Sequence, residues 1–262
     1  MDPKLEREYE EYQKQDRIWG VVDKERIKKI KFDRVPKKFV DEFKALEDDV
    51  TGTVSDILDI LGYRKVIPAS FLKPIIPGKL LVGTAVTLRS IPIEKTVTKG
   101  LSDNDFIKMA SRDVNYLAEP GDVLVGDCGG MTEMSSMGGQ SVVSAKIRGL
   151  AGVVIDGAVR DVGTWKKYDL PCWCRGVTPM TGKCRIEAIE INGPVVINQA
   201  QILPGDLIIA DDSGICAIPP QHVEYVLEQV KKILPDEEIM RELIEANASI
   251  SEIKKLFRKR YD

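Results

Sequence analysis

The chain has 262 residues, 43% hydrophobic and 30% charged, which fits a folded domain with surface extensions rather than a disordered polymer. Thirty-eight basic residues against 41 acidic ones leave a net charge of −3, so binding of nucleic acid through overall charge is disfavoured. No apolar run approaches the roughly 18–20 residues of a membrane span, and the opening MDPKLEREYEEYQ has no apolar signal core. The chain reads as cytoplasmic, with neither nucleic acid nor membrane as a partner.

Residues 1–50 carry 27 of the charged residues and read as a charged N-terminal helical extension. Within its basic run, Ile27, Ile30 and Val35 interleave as packing residues, so the run reads as a solvated face. A core domain is expected over 51–219. Thr53 to Asp56 fits a capping box for a helix that Gly62 ends. Residues 72–92 give a loop and then a long β-branched strand. Ser102 to Asp105 opens a further helix, to about 116. Pro120-Gly121 turns the chain into a strand at 122–126, and 127–138 reads as a loop rich in Gly, Ser and Met. Helix, buried strand, helix and strand follow to 176, a β-loop-α-β-turn-α-β pattern with parallel strands and crossover helices. Residues 187–191 and 195–197 suggest a hairpin around Asn192-Gly193. Residues 206–210 and 215–218 flank a second turn. Helices occupy 220–262, packed on the core or on a neighbouring subunit, and Ser249 to Glu252 caps the last.

The rare residues narrow the chemistry. His222 is the single histidine, and its place at a helix start reads as a surface position. Histidine-rich zinc sites and most Ser-His or Cys-His mechanisms are thereby excluded. The five cysteines are 128, 172, 174, 184 and 216, an odd number without an export signal, so they read as reduced, buried thiols.

Two features converge on a candidate site. The Gly-rich loop ends at Gly138 and Gly139, just before a helix whose first amides belong to Gly139, Gln140 and Ser141. Free N–H groups and the positive end of the helix dipole make such a terminus an anion site. The next strand ends at Arg160-Asp161. Arginine clamps carboxylates bidentately, and aspartate suits Mg²⁺ or Mn²⁺. The glycines spell no dinucleotide or P-loop signature.

With these blocks the chain resembles the RraA-like family. The resemblance is carried by TGTVSDILDILG (51–62), PGKLLVGTAVTL (77–88), AEPGDVLVGDCGG (118–130), AKIRGLAGVVIDGAVRDV (145–162), LPCWCRGVTP (170–179) and PGDLIIADDSGICAIP (204–219). That family contains class II 4-hydroxy-4-methyl-2-oxoglutarate and 4-carboxy-4-hydroxy-2-oxoadipate aldolases, and protein regulators of ribonuclease E. The resemblance implies an α/β fold, an αββα sandwich resembling the swivelling phosphohistidine domain, to which this chain adds its N-terminal helical arm. It implies a homotrimer or hexamer with active sites between subunits. It also implies a divalent metal, Mg²⁺ or Mn²⁺, held by Asp161, with Arg160 on a small carboxylate substrate and Gly138 to Ser141 gripping it. Glu237, on the C-terminal helices, is the match for a residue reaching a neighbour's metal. The implied reaction is cleavage or decarboxylation of a small 2-oxo or hydroxy acid through a stabilised enolate.

One departure stands out. The aldolases place a carboxylate, then twenty residues, then their Arg-Asp pair, and here the position of that carboxylate, twenty-one before Arg160, is Gly139. Glu133, in the same loop, is the candidate replacement base, and Met131, Met134 and Met137 suggest a partly apolar substrate. Two alternatives follow: a different metal-dependent lyase or hydratase, or a non-catalytic regulator that binds a protein of RNA degradation.

Overall fold

The computed structural model describes residues 2–46, 49–105 and 108–259. The arm begins with α1 (Pro3–Lys14), capped by the Asp2 carboxylate, and α2 (Lys37–Lys44) follows an extended stretch. In that stretch Ile27, Ile30 and Val35 are buried, so the arm packs on the core through the apolar residues its sequence singles out. α3 (Val50–Ile60) buries Val50, Val54, Ile57 and Leu58, one face at helical spacing. It starts ahead of the expected capping box because the Asp211 carboxylate takes the Thr51 amide at 2.9 Å and hydroxyl at 2.6 Å.

The strands β1 (Val66–Pro68), β2 (Lys73–Pro74) and β3 (Leu81–Pro92) come next. One long helix expected from 102 is instead two short ones, α4 (Val97–Ser102) and α5 (Ser111–Leu117). Asp103 and Asp105, which look like starters, both pair with Lys95 beyond the end of α4, and Asn104 there takes φ 53°. Then β4 (Asp122–Met137), α6 (Gly139–Ile147), β5 (Gly152–Val159), α7 (Val162–Tyr168) and β6 (Cys172–Val177) give the expected parallel βαβαβ run.

β7 (Ile186–Ile191), β8 (Val195–Ile197), β9 (Ala200–Ile202), β10 (Leu207–Ala210) and β11 (Gly214–Ile218) complete the strands. β10 and β11 form the expected hairpin. β7 and β8 do not: β7 pairs with β3, and β8 with β9. The Asn192 side chain explains this. It accepts from Thr87 N–H and donates to Lys29 O, tying the turn to β3 and the arm. α8 (Val223–Glu245) and α9 (Ile250–Lys259) close the described chain, and Ser249 and Glu252 cap each other as expected. Among the described residues no helix is long and apolar enough to cross a membrane.

The main sheet runs β1-β11-β10-β3-β4-β5-β6-β2, with β7 on the far half of β3. Alternate residues serve opposite faces. Leu124, Val153 and Ile155 meet α5, α6 and α7 through Val114, Val142 and Trp165. Val123, Val125 and Val154 meet the β8–β9 ribbon through Val195, Ile197 and Ile202. α2, α3 and α8 cover the β10–β11 side through Phe43, Leu58 and Val226. The result is an α/β fold, with helices and a second small sheet stacked on a central one. Burial on both faces explains why β5 is apolar along its length except at Asp156, which pairs with Arg175.

Candidate active site

β4 and β5 are parallel neighbours, and both release their chains at the same edge of the sheet. Carboxyl ends of parallel strands are where open α/β sheets bind ligands. There β4 passes through Gly138 into α6, and β5 passes through Arg160 and Asp161 into α7.

Asp161 adopts the left-handed backbone region, with φ 59° and ψ 46°. Aspartate tolerates it better than most residues. The turn points its side chain away from its own helix and across to α6. There Oδ2 accepts from Gly139 N–H at 2.6 Å. Gly138 has no side chain with which to cap α6, so Asp161 caps it from the neighbouring loop, a charge-assisted bond at the positive end of the helix.

Arg160 is fixed through its backbone. Its N–H donates to Met137 O at 3.0 Å, and its carbonyl accepts from the indole of fully buried Trp165 at 2.9 Å. Its Nε lies 3.5 Å from Asp161 Oδ2. The glycines make this approach possible: a Cβ on Gly138 would stand 2.5 Å from Arg160 Nε, and one on Gly139 3.1 Å from Asp161 Oδ2. Gln140 N–H, at the second position of α6, is beyond reach of any carbonyl of its own helix. Ser141 Oγ lies 2.9 Å from Ser111 Oγ, joining α6 to α5.

Gly138, Gly139, Gln140, Ser141, Arg160 and Asp161 all line one cleft of about 570 Å³. Arg112, Lys167 and Lys183 line it too, so four cations face a single lining carboxylate, Asp161. A groove of similar volume between α1 and residues 28–33 holds charges that pair with one another, such as Lys4 with Glu8.

Glu133 is not brought to the cleft. The expected loop is instead part of β4, which places Asp127 to Met137 against only Asp156 to Val159. The excess chain is pushed out in irregular pairings with positive φ at Gly129 and Gly130, and Glu133 lies on that excursion. The methionines do not line the cleft either: Met137 is fully buried and Met131 packs against the core. Glu237 sits on α8, away from the cleft of its own chain. Cys128 is buried, and burial pushes its thiol up to about 12, so it is a packed thiol at neutral pH. His222 lies in the turn before α8, 3.0 Å from the Tyr63 hydroxyl.

Sequence reasoning passes over Trp19, Arg112, Thr164 and Lys167, which also line the cleft. Thr164 and Lys167 were within reach, because they follow Asp161 at helical spacing on α7. Trp19 and Arg112 give no local signal, since tertiary packing alone carries them there.

The family model described as RraA-like, Aldolase/RraA, matches residues 51–217. The chain belongs to the RraA-like family. A relative from Halalkalibacterium halodurans, with the provisional name 4-hydroxy-4-methyl-2-oxoglutarate aldolase, is 33% identical over 209 residues, 80% of this chain and 90% of that protein. An uncharacterised protein of Methanocaldococcus jannaschii is 34% identical over 181 residues, 68% of this chain and 79% of its own. Among solved structures, an unusual member of the ribonuclease ES inhibitor RraA protein family from Streptomyces coelicolor is 26% identical. It has a TM-score of 0.67 and covers 80% of this chain and 99% of its own. The RraA-like match spans the cleft's two helix starts and leaves Trp19 and the arm outside it.

Proposed function

We propose that this protein is a divalent-metal-dependent carbon–carbon lyase that cleaves or decarboxylates a small 2-oxo or hydroxy acid. The observation that carries the reading is the meeting of the α6 N-terminus with Arg160 and Asp161 in one cleft. The aldolase name of a relative that this chain matches over most of its length supports the reaction class.

The donor set fits a hard cation. Among the described residues no three His, Cys, Asp or Glu side chains converge, which speaks against a zinc-type cage. Mg²⁺ or Mn²⁺ needs only one or two carboxylates and takes its remaining ligands from water and substrate oxygens. Asp161 commits Oδ2 to the Gly139 amide, and its carboxylate is 44% exposed. Asp161 is therefore the residue that would hold the cation, which supplies Lewis-acid polarisation of the 2-oxo group. The α6 amides and Arg160 hold the substrate's carboxylate. As the C3–C4 bond breaks and negative charge collects on the 2-oxo oxygen, the Arg160 guanidinium offsets it, carried by a backbone that Met137 and Trp165 fix. The proposal extends to a homotrimer or hexamer, in which Glu237 reaches a neighbour's site.

The test is pyruvate release from 4-hydroxy-4-methyl-2-oxoglutarate and from oxaloacetate, with and without Mg²⁺ or Mn²⁺. Metal-dependent turnover that Asp161→Ala abolishes is the expected result. Turnover that Asp161→Ala leaves intact would remove the site assignment. The likeness to the ribonuclease ES inhibitor family favours one second reading, a protein-binding regulator. That reading gains if neither turnover nor metal binding is found.

A further inference from the structure

Trp19 lies outside the family match, yet it forms part of the cleft wall. Its segment is pinned on both sides. Ahead of it, the Arg17 guanidinium donates to the carbonyls of Tyr116 at 3.0 Å, Leu117 at 3.1 Å and Ala118 at 2.8 Å, and pairs with Glu119 at 2.9 Å. Behind it, the amides of Gly20, Val21 and Val22 all donate to Asp113 Oδ1, at 3.1, 3.0 and 3.3 Å. Both anchors belong to α5 or its end, and α5 packs beside α6 through the Ser111–Ser141 contact. The indole is therefore held rigidly relative to the helix start that grips the substrate.

What is held so firmly is a tryptophan left 44% exposed. Trp165 and Trp173, the other two tryptophans, are fully buried. The Trp19 ring leans on Tyr116, with centroids 5.4 Å apart, and the Arg112 guanidinium stands 5.2 Å from its centroid. Arg112 is already engaged, since it donates to Gln140 Oε1 at 2.6 Å. The indole is thus an exposed aromatic edge of the cleft wall; Met109, Val143 and Tyr168 add apolar lining to the cleft, beside the cations Lys167 and Lys183. Arg160 and Asp161 provide the polar, reacting end.

We propose that Trp19 is the specificity-determining residue of the cleft and that it seats an apolar, ring-sized group at the distal end of the 2-oxo acid. The inference rests on the carboxylate-binding reading above and adds to it the kind of substrate preferred. The arm thereby acts as a preorganised wall, whose ordering cost is met on folding rather than on binding.

The experiment is calorimetric titration, in Mg²⁺, of the full chain with pyruvate, 2-oxoglutarate and phenylpyruvate. These carry no distal group, a distal carboxylate and a distal ring. The wild type should bind phenylpyruvate about tenfold more tightly than the other two, the size of one good aromatic contact. Trp19→Ala should erase that preference and leave pyruvate affinity unchanged, while Trp19→Phe should keep it. Acrylamide should quench Trp19 in the free protein, and phenylpyruvate, but not pyruvate, should protect it. Preference for 2-oxoglutarate overturns the inference in favour of a distal charge. Equal weakening of all three ligands by Trp19→Ala reduces the residue to a structural role and overturns it as well. An indole shielded from acrylamide in the free protein means that a neighbouring chain occupies the wall, and that too overturns it. If pyruvate and phenylpyruvate bind equally, only this inference falls; if none of the three binds, the carboxylate-binding reading falls and takes it along.

Discussion

Asp161 Oδ2 accepts the Gly139 amide hydrogen at 2.6 Å, so the residue that starts α7 caps α6. The two helix starts are therefore one unit, and the glycines are part of it. Gly138 has φ −133°, which any residue can adopt, so an added methyl strains no backbone there. Its Cβ would nevertheless stand 2.5 Å from Arg160 Nε and 3.0 Å from Asp161 Oδ2. The arginine side chain can yield, because it is long and partly exposed. Gly138→Ala should therefore leave the melting temperature nearly unchanged and cut turnover or ligand affinity by about tenfold to a hundredfold, the range expected when a binding group moves by an ångström. A thermal melt and a titration on the same sample check it; an unchanged affinity would show that Arg160 does not hold the ligand.

The left-handed conformation of Asp161 makes a second prediction that is independent of any ligand. A residue with a Cβ loses about 1 kcal/mol or more in that region, and glycine does not. Asp161→Ala and Asp161→Gly both remove the cap on Gly139, so that loss cancels between them. The glycine variant should be the more stable of the two by about 1 kcal/mol in chemical denaturation. Equal stabilities would show that the turn relaxes once the carboxylate is gone.

How much of this was legible in the sequence depended on how local the cause was. The parallel run from β4 to β6 is written in apolar strands and helix signals within a few residues of one another, and the sequence reading and the structure agree there. The placement of Gly138 to Ser141 and of Arg160-Asp161 at two helix starts was legible as well, because helix starts after strands are local features. Three expectations failed where a distant partner decides. Asp211 moves the start of α3, Lys95 collects the acids that looked like a helix cap, and Asn192 is captured by Thr87 and Lys29. Glu133 stands outside the cleft lining for a similar reason: the pairing with β5 pushes it out on an excursion that no periodicity signals. Trp19 could not have been found, because Arg17 and Asp113 place it through contacts about a hundred residues away in sequence.

The cysteines give a third prediction. All five are buried. Burial raises the Cys128 thiol to about 12 and pushes the Cys216 thiol up as well. The thiolate is the reactive form, so neither is available at neutral pH. Iodoacetamide should label the native protein slowly and should modify five sites after denaturation. Rapid native labelling of Cys128, read by peptide mass spectrometry, would overturn its reading as a packed thiol.

Asp113 supplies the last prediction, because it holds the arm yet the residue is only 4% exposed. Burial raises its pKa above the ordinary 3.8, against the opposing pull of the Val22, Val21 and Gly20 amides. Its Oδ2 has no hydrogen-bond partner among the described residues. In the folded protein Asp113 therefore holds its proton to higher pH than in the unfolded chain. Between those two values the folded state binds more protons, so this group's contribution to stability is full below about pH 4 and is lost as pH rises through the folded value. Asp113→Asn keeps an Oδ1 to accept the three amides and removes the ionisation. In urea denaturation from pH 4 to 8 the variant should gain on the wild type as pH rises, with Trp19 still in place by acrylamide quenching. Asp113→Ala should instead release the segment and lose the wall along with stability. If the asparagine variant fell behind with rising pH, the buried carboxylate would be a net stabiliser in its charged form, and three amides would be enough to hold it ionised.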